Sequence, residues 1–542
     1  MRSKPTPSAW STTAVTGGAV DRLLDRFAAR PWLVALLVWL VTVAVFLPAV
    51  RCSFVNWDDG KYVFQNPIVL RGLTLDGIRH ACSDVIFCNW APLTVLSYQL
   101  DATLFGTAPW GFHLSNVLLH ATSVALLCVC LCRMTGAVWP SVAVALVFGL
   151  HPLRVESVVW IAERKDVLSV FFLMLALLAY ERYCWSPSAG RYAVVGLWML
   201  ASLLSKATLV TLPVLLLLLD VWPLERLRIP GVGRPAEAAG QPARYGAISW
   251  QAAMVEKIPL LVLAGMFALV TMATQGDAIQ TEQSLPLVTA RLPNALYATV
   301  WYVWKTCWPT GLRPFYRHAA SELSPLVVAA CGAAIVATAV AAVRLAGRRP
   351  FVTVGLAWFA VALLPMLGIV AQPGFQSRAD RFTYVPHVGL LMAIVWWAAA
   401  VAGEWRLPRR WQLLGMVAVT VALAAVTLRQ IPMWTNSDTL WTTMIRQDST
   451  CAMAHMKYAN HLVATRRLAA AEPHYRAAVD QATDDWPGHV CRITSLSNLA
   501  CLYYDLGDHA RARTARDLAV AIDPDDVAVQ QMLEHVQLTD GK

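Results

Sequence analysis

Long apolar runs separated by short polar segments dominate the chain from Trp32 onwards. A helix that crosses a bilayer needs about 20 mainly apolar residues. The pattern changes after 428, where the chain becomes polar, rich in Ala and helical in period. The apolar runs predict spans near 32–50, 114–132, 138–150, 167–181, 192–204, 207–222, 257–274, 325–343, 351–370, 386–402 and 411–428.

The basic residues between the runs indicate the topology. Arginines cluster in 223–255, in 344–349 and in 406–410, and loops rich in Lys and Arg stay in the cytoplasm. For these three loops to share one side, the aromatic run 295–308 must be re-entrant or interfacial rather than a full span. The sequence therefore predicts about eleven spans, with the N-terminus in the cytoplasm and the C-terminus outside.

These assignments divide the chain into a cytoplasmic segment 1–31, a transmembrane domain 32–428 and an external domain 429–542. External loops are expected at 51–113 and 151–166, the first with interfacial helices. We expect no cleavable signal peptide, because the run that starts at Trp32 is too long for a signal sequence.

The polar C-terminal region contains two copies of one pattern of small and aromatic residues. The spacing matches the tetratricopeptide repeat (TPR), in which small residues let two antiparallel helices approach closely. Two repeats are few for a free solenoid, so a degenerate helix pair in 429–450 or the membrane domain is expected to cap the array. The two copies are Tyr458, Ala459, Leu462, Ala471, Tyr475 and Ala478, then Leu499, Ala500, Tyr503, Gly507, Ala512, Ala519 and Pro524.

Composition supports a membrane protein and excludes a nucleic-acid-binding one. Of 542 residues, 57% are hydrophobic and only 14% are charged, and the mean hydropathy is +0.51; soluble domains carry about a quarter charged residues. The net charge is +10. The basic residues lie in short clusters between apolar runs and form no basic face for a nucleic acid.

The first external loop, FVNWDDGKYVFQNP, carries the adjacent carboxylates Asp58 and Asp59 directly after the first span. Carboxylates beside a membrane are costly unless they are used. One interpretation is a pair that performs acid–base chemistry, and the other is an ordinary Asp/Gly turn at a helix end.

The segment 151–166, HPLRVESVVWIAERKD, is the densest in charge. Its valines recur at helical spacing, which predicts an amphipathic helix lying flat at the interface. The helix would be either a simple anchor with snorkelling cations or a phosphate site, because phosphate sites need basic groups held by acidic partners. The basic residues are Arg154, Arg164 and Lys165, and the acidic ones are Glu156, Glu163 and Asp166.

Two other external stretches contain candidate polar residues. In 372–386, Arg378, Arg381 and Tyr384 could bind a phosphate or anchor a helix end. In the stretch from His80 onwards, Asn89, Trp90 and His113 are supporting candidates. No pair of His or Cys has the spacing of a zinc site, so no metal is assigned.

Several motifs in this order resemble one family. They are FVNWDDGKYVFQNP, NWAPLTVLSYQLD, HLSNVLLH, HPLRVESVVWIAERKDVLS, NALYATVWYVWKTCWPTGLRPFY and RADRFTYVPHVGL, followed by the TPR segment. The chain resembles bacterial relatives of the transmembrane and tetratricopeptide-repeat-containing (TMTC-type) proteins, from about 32 to 530. One departure is Ala91, where relatives commonly have His.

The resemblance implies an all-α, polytopic fold of the GT-C glycosyltransferase type followed by TPR hairpins. It implies an inverting membrane glycosyltransferase that moves mannose or another hexose from a polyprenyl-phosphate donor to a hydroxyl of an external protein or glycan. Asp58 and Asp59 would be catalytic, while Arg154, Arg164, Lys165, Arg378 and Arg381 would bind the donor phosphate. Glu156, Glu163, Asp166, Asn89, Trp90, His113 and Tyr384 would support them.

The same resemblance places the protein in the inner membrane, with the TPR domain on the periplasmic side and binding a protein or peptide acceptor. No cofactor is expected to be required, although Asp58 and Asp59 could hold a divalent cation. Adjacent carboxylates raise each other's pKa, which favours a base over a metal ligand.

Two alternatives remain from other functional classes. One is a non-enzymatic scaffold or assembly factor that recruits partners through the TPR pair. The other is a polyprenyl-lipid transporter, which predicts ionisable groups across the whole membrane depth. In this chain we expect them to gather at one face.

Overall fold

The computed structural model describes residues 25–536, apart from 28, 87, 228, 230–243, 275–286, 318–322, 370–375 and 484–485. Within those ranges the chain is helical and contains no β-strand beyond isolated bridges. The predicted all-α class is confirmed. Most of the predicted N-terminal segment 1–31 lies outside the described residues.

The helices of eight or more residues are numbered here in chain order. They are α1 Pro31–Phe46, α2 Leu75–Ser83, α3 Pro92–Phe105, α4 Pro109–Thr135, α5 Val138–Leu150, α6 Arg164–Trp185, α7 Ala189–Ser205, α8 Leu212–Val221, α9 Trp250–Thr274, α10 Leu292–Cys307, α11 Pro325–Leu345, α12 Pro350–Leu363, α13 Pro386–Glu404, α14 Arg409–Gln430, α15 Ser437–Gln447, α16 Ala452–Ala464, α17 Leu468–Asp480, α18 Trp486–Asp505, α19 His509–Ile522 and α20 Val527–Val536.

Seven helices in the described residues are long and apolar enough to cross a membrane. They contain α1, α4, α6, α9, α11, α13 and α14. An eighth candidate span is α5 together with Pro152–Val159, bent by 57°. Three shorter apolar helices occupy Ala189–Ser205, Ala207–Val221 and Pro350–Met366. The protein is therefore a multi-pass membrane protein, and the predicted span count needs all of these segments.

The membrane helices pack around α4 and α6. Helix α4 packs against α1, α5 and α6, and α7 lies along α6. Buried residues such as Val124, Leu173 and Leu203 form one continuous apolar core with the first TPR hairpin. The segment 51–113, for which interfacial helices are predicted, contains α2 and α3. This packing holds the ends of α4 and α6 in fixed positions beside the segments 51–113 and 151–166.

A cluster of ionisable groups lies near the C-terminal end of α6, away from the segment 151–166. Arg226 and Lys257 are buried with Asp220, at 3.0 and 2.8 Å respectively, and Glu256 and Tyr180 complete the group. The intervening part of α6, Val167–Ala179, has no charged residue. The expectation that ionisable groups gather at one face is therefore wrong: close tertiary packing pairs a second set at the opposite end.

The C-terminal region forms two helical hairpins, α16–α17 and α18–α19, flanked by α15 and α20. Ala459, Tyr475, Ala500, Ala512 and other small or aromatic residues make up a separate core. Gly507, at φ +79°, closes the turn between α18 and α19 in a left-handed conformation that glycine tolerates. The hairpins and their register agree with the repeat pattern in the sequence.

Candidate active site

The loop after α1 is held as a compact turn beside the 151–166 segment. A turn at Leu47–Arg51 ends the first span, and Gly60–Phe64 forms a second, wider helical turn. Asn66 then accepts hydrogen bonds from the backbone N–H groups of Ile68 and Val69. Asp58 and Asp59 lie between the turns Leu47–Arg51 and Gly60–Phe64, and these two turns determine where each carboxylate points.

Asp59 is buried and its two oxygens are both occupied. Oδ2 accepts from the Val55 N–H and Oδ1 from the Ala162 N–H, each at 2.9 Å. Burial raises the pKa of Asp59 to about 7, and the two backbone hydrogen bonds oppose that shift. Because Ala162 belongs to the 151–166 segment, Asp59 ties the first loop to that segment.

Asp58 has a different environment from its neighbour. It is half-buried, and among the described residues its carboxylate makes no hydrogen bond or ion pair. Burial raises its pKa, while the charges of Lys165, Lys457 and Arg381 oppose the rise. Glu163 is also close enough to raise it. Asp58 is thus an uncommitted acidic group that faces several cations.

The 151–166 segment does not lie flat at the interface as predicted. It is broken into short turns at Pro152–Arg154, Val155–Val159 and Ile161–Glu163, and α6 begins at Arg164. Every residue from 151 to 166 is buried. The prediction was wrong because the extended backbone at Trp160 (ψ 113°) interrupts the helical period, and protein rather than lipid covers the valines.

Six charged residues from three parts of the chain meet next to Asp58, and we call them the charge cluster. Glu163 lies at its centre, 3.1 Å from Lys206, 3.5 Å from Arg381 and 3.7 Å from Lys165. Asp166 pairs with Lys206 at 2.8 Å, and Glu156 pairs with Arg381. The sequence indicated all of these except Lys206.

A crevice of about 360 Å³, including its open mouth, reaches the charge cluster from the side of α9. Lys165 and Lys206 line it together with Asn89, Trp90 and Ala91. The α9 residues on its wall are Phe267, Val270, Thr271 and Thr274. Neighbouring α9 residues, such as Leu269 at 68% exposure, face outward as in a lipid-facing helix. The crevice therefore opens beside the predicted membrane boundary.

Lys165 has few protein contacts for a buried amine. Apart from the 3.7 Å contact with Glu163, its Nζ lies 3.4 Å from the Tyr62 hydroxyl and 4.4 Å from the centre of the Tyr62 ring. An ammonium has three donors and prefers to use all of them. Lys165 therefore retains donor capacity towards the crevice.

Arg164, in contrast, is fully engaged by protein groups. Its Nη1 pairs with Asp101 at 2.5 Å, Nε donates to Asn116 and Nη2 donates to the Phe112 carbonyl, each at 2.7 Å. The guanidinium also lies 4.6 Å from the Tyr98 ring. With every nitrogen in contact with a protein group, Arg164 joins α6 to α3 and α4 rather than facing the crevice lining.

Arg154 is buried against Tyr384, with the guanidinium 4.8 Å from the ring. Its Nη2 donates to Thr383, whereas Nε and Nη1 have no partner in the described part of the chain. The Tyr384 hydroxyl makes a 2.5 Å hydrogen bond with Nδ1 of His120. Arg154 and Tyr384 therefore form a buried unit next to the turn that carries Arg381.

Arg378 is enclosed by aromatic rings. Its guanidinium lies 4.8 Å from Tyr297, 5.4 Å from Trp301 and 5.7 Å from Tyr316. Nε and Nη1 have no hydrogen-bond partner within the described ranges. Burial lowers its pKa, and the nearby tyrosines oppose that shift. The structure thus packs Arg378 against the aromatic rings of α10 rather than in the charge cluster.

The remaining predicted residues lie around the crevice or beneath the loop. Asn89 and Trp90 line the crevice, and the Trp90 indole donates to the Cys82 carbonyl at 2.8 Å. His113 is buried in the first turns of α4. No group of three or more His, Cys, Asp or Glu in the described residues has a metal-binding arrangement. Because Asp59 is occupied by backbone donors, the pair offers a cation only one accessible carboxylate.

The TPR region packs directly on the Asp58 loop. Trp57 stacks on Trp441 of α15, with ring centroids 4.9 Å apart and planes 18° apart. Asn56 receives a hydrogen bond from the Trp441 indole at 2.5 Å and donates to the Lys457 carbonyl at 2.8 Å. Lys457, on α16, is the other cation that the sequence did not indicate. The site is therefore built by both domains.

Comparison with known proteins agrees with this architecture. The family model for the tetratricopeptide repeat matches residues 450–525. Drosophila melanogaster "Protein O-mannosyl-transferase Tmtc2" is 34% identical over 140 residues, which cover 24% of this chain and 15% of the relative. Human "Protein O-mannosyl-transferase TMTC1" is 23% identical over 538 residues, 90% of this chain and 59% of the relative. Mouse TMTC3 is 22% identical over 463 residues, 80% of this chain and 48% of the relative.

The chain thus spans about three fifths or less of the length of these curated relatives. No solved structure matches it. The similarity to TMTC proteins and the repeat match confirm the predicted resemblance to the TMTC type.

Proposed function

We propose that this protein is an inverting membrane glycosyltransferase that transfers mannose or another hexose from a polyprenyl-phosphate donor to a hydroxyl group of an external protein or glycan. The observation that carries the proposal is Asp58, an uncommitted carboxylate close to Lys165, Lys457 and Arg381. Of these cations, Lys165 also lines the crevice beside α9. The names of the similar proteins support the same class of reaction.

The crevice is suited to the donor. Its α9 wall contains Phe267 and Val270 beside two threonines, and the outward-facing surface of that helix, with residues such as Leu269, gives a polyprenyl chain a hydrophobic path. Lys165 and Lys206 lie deeper on the same lining, where a phosphate attached to that chain would arrive. Lys206 is held by Glu163 and Asp166, so its ammonium is already positioned when the donor binds. Of the arginines predicted to bind phosphate, Arg381 lies beside these lysines in the charge cluster. Arg154 and Arg378 lie outside that cluster, and their Nε and Nη1 atoms have no hydrogen-bond partner in the described residues.

In the proposed reaction Asp58 accepts the proton of the acceptor hydroxyl as its oxygen attacks the anomeric carbon. The bond between that carbon and the phosphate oxygen breaks, and its electron pair leaves with the polyprenyl phosphate. Lys165, Lys206 and Arg381 stabilise the charge that develops on this leaving group. One displacement inverts the anomeric configuration. The raised pKa of Asp58 makes it a stronger base than an exposed aspartate.

Asp59 has a positioning role in this proposal. Its two backbone hydrogen bonds set the distance between the first loop and the charge cluster. The proposal needs no metal ion, because cations of the protein occupy the place where phosphate charge develops.

The test is a comparison of cells that produce the wild-type chain, Asp58→Asn or Asp76→Asn at matched levels. Asp76 is an exposed carboxylate of the same external segment and serves as the control. Mass spectrometry of external glycoproteins and glycolipids is expected to show hexose additions that Asp58→Asn abolishes and Asp76→Asn retains. Unchanged glycosylation with Asp58→Asn would exclude this function and favour a scaffold role.

A further inference from the structure

We infer that Lys457, on the first TPR helix, is a positioning residue of the catalytic site whose charge favours the carboxylate form of Asp58. The inference rests on the proposed function and deepens it, because it makes the TPR region part of the site rather than a separate recruiting module.

The position of Lys457 follows from the way α16 is shared between two cores. Met453 and Met456 are buried in the core of the membrane domain, whereas Ala459 and Leu462 belong to the TPR core. Lys457 lies between these sets and is half-buried. Helix α16 therefore cannot move away from the membrane domain without exposing both methionines.

Asn56 fixes the position of Lys457 relative to Asp58. Asn56 lies two residues before Asp58, and its side-chain amide donates to the carbonyl of Lys457 at 2.8 Å. Asn56 also accepts from the indole of Trp441, and its backbone N–H donates to Ser437 at 2.9 Å. A single side chain thus links the loop that carries the base to α15 and α16.

Charge explains why a lysine at this place matters. Burial lowers the pKa of Lys457, the charge of Asp58 opposes that shift, and Lys61 adds to it from the loop. Cys491 raises the pKa as Asp58 does. The groups that act on Asp58 are Lys165, Glu163 and Arg381 from the membrane domain and Lys457 from the TPR domain; Asp59 and Tyr62 adjoin it on its own loop. Glu163 already binds Lys165, Lys206 and Arg381. Lys457 has no carboxylate within ion-pair distance among the described residues, and Asp58 is the carboxylate on which its charge acts through space.

The acceptor must then bind where the TPR hairpin meets the Asp58 loop. The donor crevice enters from the α9 side, lined by Lys165 and Lys206, and α16 contributes none of its lining. The two substrates would therefore approach Asp58 from different domains, the sugar donor from the lipid and the hydroxyl from the TPR side.

The experiment titrates Asp58 in the full-length protein in lipid nanodiscs. A protonated carboxyl group reacts with a water-soluble carbodiimide and an amine, and peptide mass spectrometry quantifies the labelling of Asp58 against pH. Lys457→Met is expected to move the labelling midpoint up by about one pH unit, a tenfold change in proton affinity. Lys457→Arg is expected to keep the wild-type midpoint. Arg513→Met, which removes an exposed cation from α19, is the matched control.

The same variants are then assayed for transfer from polyprenyl-phosphate mannose. Lys457→Met should shift the acidic limb of the pH profile of kcat/KM to higher pH. Adding Lys457→Met to Asp58→Asn should cause no further loss of transfer activity. If Lys457→Met is poorly folded, Lys457→Gln is compared with Lys457→Arg in the same labelling assay. A midpoint that is the same in the charged and neutral variants overturns the inference. Because labelling needs no substrate, that result is distinct from a failure of the proposed glycosyltransfer.

Discussion

Asp58 and Asp59 are adjacent in the chain but are held in opposite ways. The Asp59 carboxylate accepts hydrogen bonds from the backbone N–H groups of Val55 and Ala162 at 2.9 Å, whereas the Asp58 carboxylate has no hydrogen-bond partner among the described residues. One carboxylate therefore fixes the loop and the other is available for chemistry.

This difference predicts that the two aspartates respond differently to substitution. In Asp59→Asn the side-chain NH₂ group faces a backbone N–H, so that neither donor has an acceptor. Leaving a buried donor unsatisfied lowers the free energy of unfolding by about 1–3 kcal/mol. Asp58→Asn should change the free energy of unfolding by less than about 0.5 kcal/mol while reducing transfer by about 100-fold or more. Thermal unfolding in detergent and a transfer assay measure the two effects. Equal destabilisation by both variants would contradict the division of roles.

The lysines of the crevice are predicted to bind the donor phosphate. Lys165→Met or Lys206→Met removes a charge-assisted hydrogen bond worth about 1.5–3 kcal/mol, so KM for the lipid donor should rise by about tenfold or more. Arg71→Met, which removes an exposed cation from the loop 51–113, should leave KM unchanged. A rise in KM for the acceptor instead of the donor would show that the crevice has been assigned to the wrong substrate.

Arg164 is predicted to matter for folding rather than for binding. Its partner Asp101 lies 2.5 Å away with a side chain only 5% exposed, and removing one member of a buried pair costs about 3–5 kcal/mol. Arg164→Met should therefore lower the thermal midpoint strongly, and Arg164→Met combined with Asp101→Leu should recover part of the loss. A stable Arg164→Met protein with a raised donor KM would instead restore Arg164 as a phosphate ligand.

The junction between the domains is predicted to depend on Trp441. Truncating a buried tryptophan costs about 3–5 kcal/mol, and Trp441→Ala also removes the stack on Trp57 and the hydrogen bond to Asn56. Protease should then release residues from α15 onwards faster than in the wild type, with reduced transfer. Retained activity after release of the TPR helices would show that the membrane domain contains a complete site.

The pH dependence of transfer follows from the environment of Asp58. Burial raises its pKa above the ordinary value of 3.8, so the fraction of carboxylate falls as the pH drops through that raised pKa. A base must be ionised to accept a proton, and kcat/KM should therefore decrease on the acidic side with a midpoint above 3.8. A rate that is flat across that range would exclude Asp58 as the base.

The sequence predicted the architecture well because hydropathy and repeat spacing are local signals. The runs around α1, α4 and α9 and the TPR hairpins were identified from period and length alone. The broken segment 151–166 was missed, because its valines fit a helical period that the backbone at Trp160 interrupts. Only the surrounding protein reveals that this segment is buried.

Contacts between residues that are distant in the chain explain why the sequence did not reveal the whole site. Lys206 lies between two apolar runs and looks like a break between spans, yet it binds Glu163 and Asp166. Lys457 looks like a surface lysine of a repeat helix until Asn56 brings it to Asp58. Arg164 looked like a phosphate ligand because its partner Asp101 is distant in the chain.

The most direct measurement is transfer by the purified full-length protein in nanodiscs, supplied with radiolabelled polyprenyl-phosphate mannose and periplasmic protein as acceptor. The proposal predicts label in protein with the wild type and with Asp76→Asn, and background label with Asp58→Asn, although all three bind the donor. Equal label with wild type and Asp58→Asn would contradict the assignment of Asp58 as the base.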